Sequence, residues 1–151
     1  MSKRCQRIYE ELKYVERDLH DHLIANEVPP ELHLTRWLRC VMSREFDVHS
    51  TVIVWDYIFA GIMDANPNSS YDVLDLRAPQ DDPFVNLEFL SVAMITLIRG
   101  DLLDAEDSMC LGLLMSYKVP EDPMVVINRA QTIRNAYMYA MPYSIPAKYT
   151  A

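Results

Sequence analysis

From Phe84 to Arg99 the chain is apolar nearly all round a helical wheel, with Leu87, Leu90, Val92, Met94, Ile95, Leu97 and Ile98 leaving almost no polar face. A helix of that kind has to be enclosed by other elements. It would be about 24 Å long, too short to cross a bilayer comfortably. It also carries Asn86 and Glu88. The run is therefore expected to be a core helix. The segment Val52 to Ala60 repeats the pattern, interrupted by Asp56, and is expected to be a second central, buried helix.

The remaining elements are punctuated mainly by proline. Between Gln6 and Asn26, apolar residues at Ile8, Leu12, Val15, Leu19 and Leu23 step by three or four. That spacing predicts one amphipathic helix, which Pro29-Pro30 ends. A second helix fits Glu31 to about Ser43, with Leu34, Trp37, Leu38 and Val41 on one face. Asp47 reads as the N-cap of the helix that ends near Ala60. Asp82-Pro83 and Asp122-Pro123 each give an N-cap followed by proline at the first helical position. The carboxylates of Asp104-Ala-Glu-Asp suit a helix start and open a helix to about Tyr117, and Met124 to about Ala140 closes the fold. No strand-period stretch is bounded by hairpin turns. The expected class is all-α, about six helices in one domain over residues 1–140. An acidic loop spans 61–82 and an extended tail 141–151.

Composition narrows the function. Fourteen Lys and Arg against twenty-two Asp and Glu give a net charge of −8 on 151 residues. Such a balance argues against a nucleic-acid binder and against an anionic membrane surface. Gly61, Gly100 and Gly112 are too far apart for G-x-G-x-x-G, a P-loop or G-x-S-x-G. Cys5, Cys40 and Cys110 form no C-x-x-C pair, so buried thiols in a reducing compartment are expected rather than a zinc site or disulfides. The start, Met1-Ser2-Lys3-Arg4, has no apolar signal region, and no transmembrane segment is visible. The sequon Asn68-Ser69-Ser70 then carries no chemistry.

Few residues invite a chemical role. Asp56, between Trp55 and Tyr57, is expected to be buried and paired with Arg39 or Arg44, since an isolated core carboxylate is costly. His20 and His22 point about 200° apart on a helix and cannot share a metal. His33 and His49 have no H-E-x-x-H context. In the acidic loop, Asp64, Asn66, Asn68, Ser70, Asp72 and Asp75 fall at the ligand positions of an EF-hand-like calcium loop. Against that reading, Ser69 stands where the turn wants glycine, Asp75 is shorter than the bidentate glutamate, and Ala78-Pro79 denies a following helix. A solvated insertion is the plainer alternative, and no cofactor is expected.

The ordered set Arg36-Trp37-Leu38-Arg39, Arg44-Glu45-Phe46 and Val54-Trp55-Asp56 resembles the second half of the TBC domain of Rab GTPase-activating proteins, with its W-x-R, R-E-F and W-D elements. The likeness continues through Leu97-Ile98-Arg99 and is sharp at Cys110-Leu-Gly-Leu-Leu-Met115. That run and the proline pair look closest to one branch of the family, TBC domain family member 5 and its relatives. The resemblance covers about Leu12 to Arg134.

It implies a helical C-terminal subdomain, a Rab-type small GTPase as partner, and a cytoplasmic role in vesicle trafficking, on endomembranes only through partners. The family's arginine finger, in I-x-x-D-x-x-R, neutralises charge developing on the γ-phosphate, and its glutamine, in Y-x-Q, orients the attacking water. Neither motif occurs here: Gln6, Gln80 and Gln131 follow Arg4, Ala78 and Arg129 by two positions, never a tyrosine. The chain is thus expected to have no catalytic residue of its own and to partner the missing N-terminal half. Carried over by position, Trp37, Arg39, Arg44 and Glu45 are expected to face the GTPase or that half, with Trp55 and Asp56 as core and pinning residues. A bare half-domain would expose apolar surface around Ile8, Leu12, Val15 and the Trp37 helix, and a homodimer could form there. A helical interaction module without any GTPase role remains the alternative, and a calcium-responsive domain a weaker one.

Overall fold

The computed structural model describes residues 1–64, 82 and 84–140. They form eight helices: α1 (Ser2–Val15), α2 (Arg17–Ala25), α3 (Pro30–Arg39), α4 (Val48–Asp64), α5 (Val85–Leu97), α6 (Arg99–Asp104), α7 (Ser108–Met115) and α8 (Pro123–Ala140). No strand occurs among the described residues, so the class is all-α. The two helices beyond the expected six come from a break near residue 16 and from α6.

The all-round apolar run behaves as its composition demands. Every residue of α5 from Val85 to Thr96 is buried, and α8, α1, α4 and α3 pack around it. Its polar side chains bond locally or to neighbours, the Asn86 Oδ1 excepted. Ser91 donates to the Leu87 carbonyl at 2.9 Å, Thr96 to that of Ala93 at 2.9 Å, and Asn86 Nδ2 to that of Tyr57 at 2.8 Å. Glu88 receives Arg4 and Arg7 from α1. Asp82 accepts the Phe84 N–H at 2.8 Å ahead of α5, as its cap-like position suggests.

The first stripe is split in two. Glu16, at φ −141° and ψ 74°, separates α1 from α2. No proline or glycine marks this break. The Glu16 carboxylate reaches Arg99 at 3.1 Å and Arg129 at 3.5 Å, which ties the junction to α6 and α8. The apolar phase survives, because Ile8, Leu12, Leu19 and Leu23 are all fully buried. These residues therefore offer no bare surface for a dimer, contrary to expectation, and Val15 is half-buried against the core.

Helix α3 stops at Arg39 rather than near Ser43. The Met42 N–H bonds the Trp37 carbonyl at 2.9 Å and the Val41 N–H that of Leu38 at 3.3 Å, the two bonds of a Schellman ending. Helix α2 ends the same way, Val28 to Leu23 and Glu27 to Ile24, both at 3.0 Å. The left-handed position usual for glycine is filled by Val41 (φ 48°) and Glu27 (φ 52°), and Met42 follows at φ 64°.

Asp47 does cap α4: its carboxylate accepts the Ser50 N–H at 3.0 Å and the Ser50 hydroxyl at 2.9 Å. Those bonds hold its carboxyl below the usual carboxylate range. The helix continues past the expected end at Ala60 to Asp64, so the acidic connection begins later than Gly61. It is also not central. Thr51, Val54, Tyr57 and Ile58 face the core, whereas Val52, Trp55 and Phe59 face outward.

Asp104 ends α6 instead of opening the next helix. Helix α7 follows Asp107, whose N–H reaches Asn26 Oδ1 at 2.7 Å. Asp122 accepts the Met124 N–H at 2.9 Å and opens α8 as expected. Cys5 and Cys110 are buried free thiols and Cys40 is half-buried. Among the described residues no helix is long and apolar enough to cross a membrane. The loop positions 65–81 and the tail 141–151 lie outside the described residues.

Candidate functional site

The residues singled out from the sequence converge on one corner, the turn between α3 and α4 and the outer face of α4. The turn is held by two clamps. Arg36 bonds Glu45 through two nitrogens, Nε at 2.7 Å and Nη2 at 3.0 Å, and the Glu45 side chain is only 4% exposed. Across the turn, Trp55 Nε1 donates to the Val41 carbonyl at 2.8 Å. Glu45 is thus an internal tie, not a free contact residue. Its partner Arg36 stands in the same motif set, where the sequence assigns it no pairing, although a nine-residue separation across a helix end is a workable reach for an arginine.

Trp37 is fully buried. Its ring meets His33 and Tyr117 edge-on, each at 5.4 Å. It cannot itself touch a partner and belongs to the core behind the face. Arg39 and Arg44 are exposed and make no ion pair among the described residues. Asp56 corrects the expectation most sharply: it is exposed, and it pairs with neither Arg39 nor Arg44. Helix α4 is not buried on all sides, and Asp56 lies on the side that meets water. Trp55 is 37% exposed, so its role is to link α4 to the turn rather than to fill the core.

The outer face of α4 is apolar. Val48, Val52, Trp55 and Phe59 recur at steps of four, three and four, which aligns them on one side of a helix. Val48 is 84% and Val52 53% exposed, and the rings of Trp55 and Phe59 sit 6.0 Å apart. Single exposed apolar residues are ordinary, but a contiguous stripe is the mark of an interaction surface. Arg39 ends α3 and Arg44 lies in the turn that follows, the turn whose Val41 carbonyl Trp55 bonds.

No cluster of His, Cys, Asp or Glu among the described residues could hold a metal ion. Of the calcium-loop positions, Asp64 closes α4, while Asn66, Asn68, Asp72 and Asp75 lie outside the described residues. His22 Nε2 bonds the Ala105 carbonyl at 2.8 Å, and His33 bonds the Tyr9 hydroxyl at 3.1 Å. Both are structural contacts. A shallow cleft of about 390 Å³ between α1 and α8 is lined by Glu10, Lys13, Tyr14, Arg17 and Tyr137.

Sequence reasoning also missed the buried ionic group formed by Arg4, Arg7, Glu11, Asp82 and Glu88. A signal was present: Arg4, Arg7 and Glu11 keep helical step with the buried Ile8 and Leu12, and Glu88 interrupts the apolar run of α5.

Comparison with known proteins gives a consistent answer. The Rab-GTPase-TBC domain family matches residues 1–69. TBC1 domain family member 5 homolog A of Dictyostelium discoideum is 26% identical over 144 residues, covering 94% of this chain and 11% of that protein. TBC1 domain family member 5 of Homo sapiens is 31% identical over 124 residues, covering 82% and 13%. TBC1 domain family member 13 of Homo sapiens is 23% identical over 133 residues, covering 88% and 28%. The chain therefore spans only a small part of the length of these relatives. No solved structure matches it. The sequence resemblance is borne out: the chain carries Rab-GTPase-TBC domain sequence over its first 69 residues and is similar over most of its length to TBC1 domain family proteins.

Proposed function

We propose that residues 1–140 act as the second, supporting half of a TBC-type Rab GTPase-activating domain. In this reading the unit helps cradle a Rab-type small GTPase against the half that bears the catalytic fingers, and contributes no finger itself. The observation that carries it is the exposed stripe Val48, Val52, Trp55 and Phe59, joined through Trp55 to the turn after α3, where the exposed Arg39 and Arg44 make no ion pair among the described residues, within sequence that matches the TBC family. An apolar face edged by arginine suits a protein partner, because aromatic and arginine side chains carry much of the energy of such contacts. The unit would work in the cytoplasm and reach endomembranes only through its partners.

Arginine fingers contribute about 10³–10⁵-fold to GTP hydrolysis where they act. The chain alone is accordingly expected to leave phosphate release by a panel of Rab proteins unchanged. Added to a TBC half that contains I-x-x-D-x-x-R and Y-x-Q, it is expected to restore stimulation. Even about tenfold stimulation by the chain alone would overturn the claim that it has no finger. Failure to bind or assist such a half would favour an interaction module outside GTPase control, a reading supported by the absence of both finger motifs from the 151 residues.

A further inference from the structure

The seam between α1 and α5 buries a carboxyl group that no donor reaches. Arg4 bonds Glu88 at 2.8 Å and Asp82 at 2.9 Å. Arg7 bonds Glu88 through Nε at 2.8 Å and again through Nη2, and Asp82 at 2.6 Å. Two guanidinium groups are thus matched by the two carboxylates they touch. Glu11, one turn along α1 from Arg7, is a third carboxyl and is fully buried. Neither of its oxygens has a hydrogen-bond donor.

If Glu11 were ionised, the seam would hold one negative charge too many, in surroundings that solvate it poorly. A proton on Glu11 cures both faults. It cancels the surplus charge and turns the group into a donor, and the charge that acts most strongly on Glu11 is that of Glu88, the carboxylate held by its helical neighbour Arg7. We propose that Glu11 is a carboxylic acid at neutral pH, donating its proton to Glu88, so that α1 and α5 close around a single shared proton and loosen when it is lost.

The surroundings agree. Burial, and then the negative charge of Glu88, push the Glu11 carboxyl well above its ordinary range, while Arg7 and Arg4 only partly oppose them. Burial raises the Glu88 carboxyl as well, but Arg7 and Arg4 bond it directly and oppose that rise, and neither bonds Glu11, so Glu88 is the member that keeps its charge. From α8, Tyr137 faces the same group, its phenol raised by burial and then by Glu11. Asp82 contributes negative charge from the segment before α5. No charge of α2 or α3 acts on Glu11 to a comparable extent.

The sign follows from proton counting. The unfolded chain releases this proton near 4.5, whereas the folded chain keeps it to higher pH. Stability from the seam is complete below 4.5 and declines as pH rises, the unfolding equilibrium constant growing about tenfold per pH unit up to the folded value. Infrared spectroscopy of the full chain at pH 7 should show the C=O band of a protonated carboxyl. The band should persist in Glu10→Gln, at an exposed neighbour, and vanish in Glu11→Gln. Glu11→Gln, whose amide can still donate to Glu88, should also lose the tenfold-per-unit decline. Absence of the band from the wild-type chain would overturn the proposal whether or not the variants fold, as would its survival in Glu11→Gln.

Discussion

The Trp55 indole donates to the Val41 carbonyl at 2.8 Å, and Val41 is itself held at φ 48°, a left-handed conformation rare for a β-branched residue. One hydrogen bond therefore joins the middle of α4 to the most strained point of the turn after α3. Trp55→Phe keeps a ring on the surface and removes the donor. The expected loss is about 0.5–1.5 kcal/mol, the net worth of such a bond, because water can still reach the freed carbonyl. It should appear as a lower urea midpoint with an unchanged slope. A variant as stable as wild type would mean that the Schellman bonds alone fix the turn.

The second clamp should register as coupling. A double-mutant cycle of Arg36→Ala with Glu45→Gln is expected to give about 1–2 kcal/mol, since the pair is bidentate and the carboxylate nearly buried. Asp56→Asn is the internal control. With no ion pair to Arg39 or Arg44, it should change stability by no more than about 0.5 kcal/mol and be additive with substitution of either arginine. Strong coupling of Asp56 to Arg44 would revive the pairing expected from the sequence.

How far the sequence could be read depended on whether one segment determined the answer. Residues 84–99 are apolar all round, and no neighbour was needed to place them in the core. Asp47, Asp82 and Asp122 signalled local starts through side chains that act within a few residues. The split at Glu16 was not legible, because its ties are to Arg99 and Arg129, more than 80 residues away. Helix α4 misled for a related reason: an all-apolar pattern records what a helix can bury, not whether this chain supplies a cover. Of the four residues expected to face a partner, Arg39 and Arg44 are open to one, at the end of α3 and in the turn after it, whereas Trp37 is buried and Glu45 is spent on Arg36.

A gain in stability is expected at the end of α2. Glu27 is exposed and occupies the left-handed position of the Schellman ending at φ 52°. A residue with a Cβ loses roughly 1–2 kcal/mol there, and glycine returns part of that gain as extra freedom in the unfolded chain. Glu27→Gly should stabilise by about 0.5–1 kcal/mol, a rise of about 1–4 °C in Tm for a chain of this size. A fall in Tm would mean that Glu27 makes up for the strain elsewhere.

His33 should shape the acid limb of stability. Its Nε2 lies 3.1 Å from the Tyr9 hydroxyl, which is itself 3.3 Å from the Val28 carbonyl, and its buried Nδ1 has no partner. Burial holds its pKa down to about 3, against 6.5 when free. Between those values the unfolded chain binds a proton that the folded chain refuses, so stability rises with pH and is lost as pH falls. Relative to His33→Gln, the wild type should lose about 1.4 kcal/mol per pH unit on acidification below 6.5. Denaturant titrations from pH 4 to 7 that run parallel for the two proteins would exclude this.

The α4 stripe and the first helix make opposite demands on a charged substitution. Leu12 is fully buried, so Leu12→Glu strands a carboxylate in the core and should unfold the chain rather than shift an oligomer equilibrium. Val52 already meets water, and Val52→Glu should alter stability by no more than about 0.5 kcal/mol. In an interface the same change is severe, because binding would have to desolvate the new carboxylate beside Trp55 and Phe59. A loss of at least about tenfold in affinity for the complementary TBC half or its GTPase is therefore expected, equivalent to 1.4 kcal/mol or more. Arg39→Ala and Arg44→Ala should weaken the same complex and reduce its sensitivity to salt. Binding titrations of the folded variants decide the matter: wild-type affinity for Val52→Glu would move the partner's footprint off α4.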